Sequence, residues 1–355
     1  MQLGIVGLPN VGKSTLFNAI TQAGAECANY PFCTIEPNVG VVPVPDERLG
    51  EIFRICSPGR AVPATIEFVD IAGLVQGASK GEGLGNQFLG QIREVDAIIH
   101  LVRYFQDDRV AHVAGPVDPL RDVDTINTEL ILADLETLAK RMEKVQRQMK
   151  SGEKRFRQEL AVLERLTAHL GAGRPARELV FDQQERAVVD TLFLLTMKPV
   201  IYVANVDEES LEEMAAHLTL AGEVVLPMCV KLEDEIAQLA EEEKEEFLTE
   251  MGLPTTGLER LIKASYHVLG LITFFTVNEK EVRAWPIKDG TKAPQAAGLI
   301  HSDFERGFIR ADVVSFFDLA SCRSYQVARD QGLVRSEGKE YIVRDGDIIL
   351  FRFHV

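Results

Sequence analysis

Eight residues near the N-terminus, Gly7-Leu8-Pro9-Asn10-Val11-Gly12-Lys13-Ser14, constrain this chain more than any other stretch. They match GxxxxGK[ST] in full and follow directly on an apolar β-type run at 2–6. They open a segment whose apolar residues at 16, 17 and 20 share one helix face. Strand, glycine turn and helix in that order make a phosphate-binding loop. Gly7 and Gly12 let the backbone wrap closely, so that N–H groups at the helix N-terminus point at phosphate oxygens. Lys13 is placed to reach the β- and γ-phosphates as a point charge, and the Ser14 hydroxyl to ligate Mg²⁺. The bland alternative is a tight glycine turn with an ordinary surface lysine, and the strand-to-helix context weighs against it.

A second feature is independent of the first. The apolar run Thr65–Val69 ends in Asp70-Ile71-Ala72-Gly73, a DxxG at the carboxyl end of a predicted strand. In a phosphate-loop fold such an Asp supports Mg²⁺ through water, and the Gly N–H senses the γ-phosphate. Thr34 lies between the first helix and the second strand, where a switch threonine supplies another metal ligand; a surface turn residue is the other reading. After Gly73, glycines at 77, 81, 83 and 85 favour a switch segment ordered by the γ-phosphate, or else merely a flexible loop.

Further buried-strand candidates are 39–44, 97–102, 200–204 and 224–230, separated by helical patterns at 84–94, 210–218, 232–250 and 257–268. That alternation predicts an α/β fold with a mostly parallel sheet covered on both faces. From 126 to 170 it breaks. Leu135, Leu138, Met142, Val145 and Met149 form one heptad seam; Phe156, Leu160, Leu163, Leu166 and Leu170 form another beyond Ser151-Gly152. Two such seams around a short turn read as an antiparallel helical hairpin, with 183–195 as a third helix packing back; one long exposed helix is the alternative. The last stretch is β-rich at 272–277, 282–287, 341–343 and 347–353, with a helix expected at 318–330, which suggests a small α+β domain.

Composition narrows the class. Hydrophobic residues at 46% and charged residues at 26% support a sizeable core. No apolar run approaches the ~20 residues of a membrane span, and the N-terminus does not read as a secretory signal. Five scattered cysteines argue for reduced thiols in the cytoplasm. Thirty-eight basic against fifty-four acidic residues give a net charge of −16, which disfavours a nucleic-acid sleeve along the whole chain but not a local basic patch. Trp285 and the pairs Phe274-Phe275 and Phe316-Phe317 read as core rather than stacking platforms.

At the end of the fifth strand stands Asn205-Val206-Asp207-Glu208. A guanine-specific enzyme carries Asn-Lys-x-Asp here, with the Asp taking two hydrogen bonds from guanine. Val206 and Glu208 replace the Lys and the Asp, so specificity should relax or shift toward adenine. At this point the chain resembles the YchF, or Obg-like, ATPases of the translation-factor branch of P-loop GTPases. The resemblance rests on GLPNVGKST at 7–15, NYPFCTIEPN at 29–38, DIAGL at 70–74, GEGLGNQFL at 81–89, the altered NVDE, and IHSDFERGFIRADVV at 300–314. It implies a Ras-like G domain at 1–125 and 196–270, a helical coiled-coil insertion at 126–195, and a TGS domain, a β-grasp module, at 271–355. It also implies ATP preferred over GTP, and association with ribosomes. Carried onto this chain, Asn10, Val11, Gly12, Lys13, Ser14 and Thr15 hold the phosphates, with Asn205, Val206 and Glu208 around the base. Ser14, Thr34 and, through water, Asp70 serve Mg²⁺, while Lys13, Thr34 and Gly73 act on the transferred phosphoryl.

Leu74 stands where many GTPases carry the Gln that orients the attacking water, so hydrolysis should be slow. His100 reads as structural, and Gln76 is displaced by two residues. Asn10 resembles the potassium ligand of cation-dependent relatives, which makes K⁺ a candidate activator. Cys33, beside Thr34, could perturb metal binding if oxidised, though an unreactive thiol is the simpler reading. The basic residues Lys140, Arg141, Lys144, Arg147, Lys150, Lys154, Arg155 and Arg157 suit a ribosomal RNA backbone, or else a solvated helix face with i,i+4 pairs. The expected picture is a monomeric cytoplasmic switch that hydrolyses ATP slowly and binds ribosomes through this arm and the TGS domain, without membrane contact. A nucleotide-gated binding module with incidental hydrolysis and a GTP-specific GTPase are the rivals.

Overall fold

The computed structural model describes residues 1–24, 38–71, 84–107, 109–113, 115–149, 153–211, 214, 219–220 and 223–354. Along the chain, β1 (Gln2–Val6) leads into α1 (Lys13–Ala23), followed by β2 (Val39–Pro43), α2 (Glu47–Cys56), β3 (Ala61–Val62) and β4 (Thr65–Asp70). Next come α3 (Leu84–Glu94), β5 (Ala97–Arg103), α4 (Pro119–Gln148), α5 (Lys154–Gly171), α6 (Gln183–Asp190) and β6 (Val200–Asn205). After β7 (Thr219–Leu220) and β8 (Glu223–Met228) come helices α7 (Val230–Ile236), α8 (Glu241–Glu250) and α9 (Gly257–Val268).

That sheet has seven strands in the order β2-β4-β1-β5-β6-β8-β7. Every printed pairing from β4 across to β8 is parallel, and only β7 runs against its neighbour. The pattern explains why β5 is mostly apolar, broken only by His100 and the terminal Arg103: all seven of its residues are buried, as a strand covered on both faces requires. β1 lies between β4 and β5, so the strand order reverses at its carboxyl end. In open α/β sheets that is where ligands bind.

The helical hairpin expected from the two seams is present. Leu138, Val145, Phe156, Leu163, Leu166 and Leu170 share one buried cluster, with Leu135, Met142, Met149 and Leu160 packed against it. Asp134 is fully buried on α4 and accepts from the Leu195 and Thr196 N–H groups at 2.8 Å each and from the Thr196 hydroxyl at 2.6 Å, tying the helix to the strand that follows. Burial pushes the Asp134 carboxyl up, against the pull of these bonds. The third helix is shorter than the sequence suggests: α6 stops at Asp190, and the chain turns at Phe193, whose φ is 49°.

The second sheet has six strands in the order β12-β11-β13-β9-β10-β3, with β9 (Leu271–Val277), β10 (Val282–Lys288), β11 (Phe308–Ser315), β12 (Arg335–Glu337) and β13 (Asp347–Phe353). Helix α10 (Ala293–Ile300) sets Ala293, Ala296 and Ala297 into a core with Phe274, Ile287, Phe308 and Phe351. β3 comes from far upstream and pairs in parallel with β10. By contacts the chain divides into two compact units, 1–23 with 35–40 and 67–258, and 24–34 with 41–66 and 259–355. In this division the helical insertion falls in the unit of the nucleotide fold and 41–66 in the C-terminal unit.

Several sequence expectations shift. The helix expected at 318–330 is two, α11 (Phe316–Cys322) and α12 (Tyr325–Asp330), because Arg323 turns left-handed at φ 51° and Ser324 caps a new start. The 232–250 helix is also two, the second begun where the Glu243 carboxylate accepts from the Ala240 N–H. The strand expected at 341–343 is a single bridge between Ile342 and Lys292. β11 escapes alternation because its register shifts between Phe308 and Arg310. The helix expected at 210–218 lies largely outside the described residues. Phe274 and Phe275 are core at 0% exposure, but Phe317 is 77% exposed and corrects the expectation for that pair. Among the described residues no helix is long and apolar enough to cross a membrane.

Candidate nucleotide site

The loop from β1 to α1 is held in a conformation few residues tolerate. Asn10 has φ 64° and Gly12 φ 99°, both in the left-handed half of conformational space. Gly12 is required twice over, because a Cβ there would also stand 2.4 Å from the Asn205 side-chain nitrogen. α1 begins at once with Lys13, and the Leu16 N–H closes the first turn on the Gly12 carbonyl at 3.0 Å. The N–H groups ahead of that turn have no helical partner and face the loop, which suits phosphate oxygens.

Lys13 and Asp70 meet directly, Nζ to Oδ1 at 2.5 Å, with side chains 14% and 22% exposed. β1 and β4 are adjacent and parallel, so the carboxyl end of β4 delivers Asp70 to the mouth of the loop. Ser14 is exposed beside them. A cavity of about 610 Å³ opens over the loop, lined by Leu8, Pro9, Asn10, Gly12, Lys13, Ser14, Thr15, Phe105 and Val110. The donor set for Mg²⁺ is one hydroxyl and one carboxylate, both hard oxygens. No group of three or more His, Cys, Asp or Glu that could hold a metal occurs among the described residues. Such a sparse set fits an ion that takes its remaining ligands from phosphates and water.

Asn205, at the end of β6, is 6% exposed and spends both ends of its amide on the protein. Its Nδ2 donates to the Val11 carbonyl at 2.9 Å, and its Oδ1 accepts from the Val230 N–H at 3.1 Å. It is thus a strut between the phosphate loop and the start of α7. Val206 is 2% exposed and belongs to the core cluster around Tyr202 and Cys229. Neither residue, nor exposed Glu208, lines the cavity. Thr34, Gly73, Leu74, Gln76 and Cys33 lie outside the described residues, and so does the glycine-bearing stretch 73–83.

The sequence reading passed over the wall opposite the loop. Arg103 ends β5 nearly buried, at 2% exposure. Its guanidinium donates to the carbonyls of Phe105 at 3.2 Å, Val110 at 2.9 Å and Asp107 at 3.2 Å, and stands 4.3 Å from the Phe105 ring centre. One arginine therefore shapes the loop that offers Phe105 and Val110 to the cavity. Asn10 reaches the same loop, its Nδ2 donating to the Ala111 carbonyl at 3.0 Å. The next residue is His112, whose ring is 2% exposed and lies 2.8 Å from the buried Asp122 carboxylate. The only local signal was an arginine at the end of a mostly apolar strand.

His100 lies within β5, buried against Tyr202, and burial with nearby Arg177 lowers its pKa to about 3, so it is structural as expected. In the basic arm, Lys140 pairs with Glu136, Arg141 with Glu159, Arg147 with Glu143 and Arg155 with Glu153. Two of the eight cations, Lys140 and Arg147, thus make the i,i+4 pairs of the solvated-face reading, while Arg141 bridges to the other helix and Arg155 to a residue two positions away; Lys150 lies outside the described residues, and Lys144, Lys154 and Arg157 have no ion pair among them.

Known proteins carry the same features. A family model described as 50S ribosome-binding GTPase matches residues 2–145. A C-terminal YchF GTPase model, described as a protein of unknown function, matches 271–354. Proteins named ribosome-binding ATPase YchF from Bacillus subtilis and Escherichia coli O157:H7 are 54% and 53% identical, each alignment covering 99% of both chains. The solved structure of the Schizosaccharomyces pombe YchF GTPase superposes with a TM-score of 0.88 at 37% identity, covering 99% of this chain and 97% of that one. With more than half of its residues shared with the curated relatives over nearly its whole length, and the strand order and phosphate loop described above, the chain belongs to the YchF family.

Proposed function

We propose that this chain is a ribosome-associated, Mg²⁺-dependent ATPase that hydrolyses ATP slowly, prefers it to GTP, and acts as a switch. The observation that carries the reading is the direct meeting of Lys13 and Asp70 at the mouth of a loop whose backbone needs Gly12. A lysine, a carboxylate and an exposed serine hydroxyl converge there with free helix N–H groups, the set that a metal–triphosphate requires. In this reading Lys13 leaves Asp70 for the β- and γ-phosphates, and the freed carboxylate turns to the metal's water shell beside Ser14. Ser14 and, through water, Asp70 would hold Mg²⁺ there, and the ion would supply neutralisation of phosphate charge.

The preference for adenine rests on what surrounds the base. Val206 is committed to the core, so the position that carries Lys in guanine enzymes supplies packing alone. Exposed Glu208 is longer and floppier than the Asp it replaces, and guanine loses its rigid two-oxygen acceptor. The ribosome as partner comes from the relatives' names, with the cations Lys144, Lys154 and Arg157 and the C-terminal unit, read as a TGS module, as supporting contacts. Asn10 is the K⁺ candidate, since its Nδ2 is held by Ala111 and its Oδ1 has no partner among the described residues. Thr34 and Gly73 keep their expected switch roles.

Calorimetry with Mg-ATP and Mg-GTP tests the reading. Tighter binding of ATP is expected, with Glu208→Asp narrowing the gap; the absence of heat with Mg-ATP, or a large bias toward GTP, rejects it. Turnover with and without ribosomes then separates a stimulated ATPase from a binding module whose hydrolysis is incidental.

A further inference from the structure

The segment after β5 is tied down at both ends of the nucleotide site. At one end the N–H groups of Tyr104 and Phe105 donate to the Asn205 carbonyl at 2.9 and 3.0 Å, and the Gln106 N–H donates to the Asp207 carboxylate at 3.3 Å. Asn205 and Asp207 belong to the stretch set around the base in the reading above. At the other end the Ala111 carbonyl holds Asn10 of the phosphate loop. Between the two, Arg103 gives its guanidinium to the carbonyls of Phe105, Asp107 and Val110. Burying a guanidinium costs desolvation energy that three carbonyls offset, and what those bonds fix is the course of this segment.

The side chain so placed is Phe105. Its ring is half-buried, lines the cavity over the phosphate loop, and carries the Arg103 guanidinium over one face, 4.3 Å from the ring centre. A planar ring at the base-side end of a nucleotide cavity, backed by a planar cation, offers a stacking surface. A purine stacks through a π-face that adenine and guanine share, so such a contact adds affinity without choosing between them. Val206 is committed to the core and gives the base no apolar wall; Phe105 supplies one.

We propose that Phe105 is the stacking surface for the purine base and that Arg103 is the residue that positions it. The stacking contact rests on the nucleotide reading above, and it leaves the choice of base to Glu208 and the backbone. The experiment is steady-state hydrolysis of Mg-ATP and Mg-GTP by the full chain, unaltered and with Phe105→Ala, Phe105→Trp, Arg103→Lys and the pair Phe105→Ala with Arg103→Lys. Slow turnover makes KM a measure of binding. Indole fluorescence is followed in Phe105→Trp as Mg-ADP is added, and thermal midpoints are measured throughout.

Phe105→Ala should raise KM for both nucleotides about tenfold and leave kcat within about twofold, because stacking holds substrate and transition state alike. The ratio of the two KM values should stay where it is, whereas Glu208→Asp moves it. Phe105→Trp should keep KM near that of the unaltered chain, and Mg-ADP should quench an indole signal that the unaltered chain, with Trp285 alone, lacks. Arg103→Lys keeps the charge and loses the fork, so KM should rise several-fold; in the Phe105→Ala background the same change should add less than about twofold. An unchanged KM for Phe105→Ala overturns the proposal, and so does a loss that falls on kcat or on one nucleotide alone. Full additivity of the two substitutions, or a KM that merely follows the thermal midpoint from variant to variant, overturns the positioning role of Arg103. If the unaltered chain neither binds nor hydrolyses either nucleotide, the nucleotide reading falls and the stacking contact with it; a rise in KM confined to the variants leaves that reading intact and supports the contact.

Discussion

Replacing Asn205 with alanine should damage the nucleotide unit by an amount the structure allows to be worked out. The side chain holds the Val11 carbonyl and the Val230 N–H, at 2.9 and 3.1 Å, in a place where Val11 and Val230 are each 1% exposed. Removing it strands one buried acceptor and one buried donor, each costing roughly 1–3 kcal/mol. With partial relaxation the loss is about 2–4 kcal/mol. It falls on the phosphate loop, so Mg-ATP affinity should drop roughly tenfold or more as preorganisation is lost. Urea unfolding followed by far-UV circular dichroism reads the stability. The chain's one tryptophan, Trp285, lies in the second unit and should report an unshifted transition there. A double-mutant cycle sharpens the test. Gly12→Ala is penalised by its φ of 99° and by the 2.4 Å approach to the Asn205 amide. Only the second penalty vanishes in the Asn205→Ala background, so the pair should couple by about 1 kcal/mol or more. An unchanged urea midpoint for Asn205→Ala would refute the strut, and strict additivity would refute the account of Gly12.

Three further outcomes are expected. His112→Ala should lower the stability of the first unit by roughly 1–3 kcal/mol, because the ring is 2% exposed and lies 2.8 Å from the buried Asp122 carboxylate, which loses that partner; an unchanged urea midpoint would contradict this. His100 has a folded pKa of about 3 against 6.5 when free, so below pH 6.5 the unfolded chain takes up a proton that the folded chain refuses. Its contribution to stability is therefore present above 6.5 and lost as pH falls, by about 2 kcal/mol between pH 7 and 5. His100→Leu should flatten the decline in thermal midpoint, and a parallel decline in both proteins would contradict the assignment. In the second unit, Arg48 forks onto Asp46 and Asp345, and Asp345 also accepts from the Thr273 N–H at 2.9 Å. Because these groups are partly exposed, Arg48→Ala should cost only about 1–2 kcal/mol, read by Trp285 fluorescence in urea, with Arg48→Lys recovering less than half.

The features legible in the sequence are those whose cause is local. Glycine spacing gave the phosphate loop, since the backbone conformation at Gly12 is set within a few residues. Heptad seams gave the hairpin, since each helix buries its own stripe. Features fixed by distant partners left no such mark. Segment 41–66 clusters with distant residues through Arg48 paired with Asp345, 297 positions away, and through Arg60 paired with Glu281, 221 away. Nothing in GEIFRIC announces that. Arg103 looks like the polar end of a strand until its three carbonyl partners are in place. Phe193 lies inside a helical pattern, and only the buried leucines around it and the clamp from Asp134 show why the helix must stop.

Asn205 shows how a motif residue can carry work its letter does not announce. Its letter and position mark a base-binding strand end, and the expectation puts it against the purine. One N–H of its amide is given to Val11 and its oxygen to Val230, so at 6% exposure it is a strut of the phosphate loop, with a second N–H left over for a base. Val206 is equally committed, to the core. Of the three residues expected around the base, only Glu208 is exposed and unengaged by the described residues, so discrimination between adenine and guanine has to come from that carboxylate, from backbone groups, or from both. A chain in which Glu208→Asp leaves the ratio of ATP to GTP affinity untouched is therefore one whose choice of base is made by the backbone.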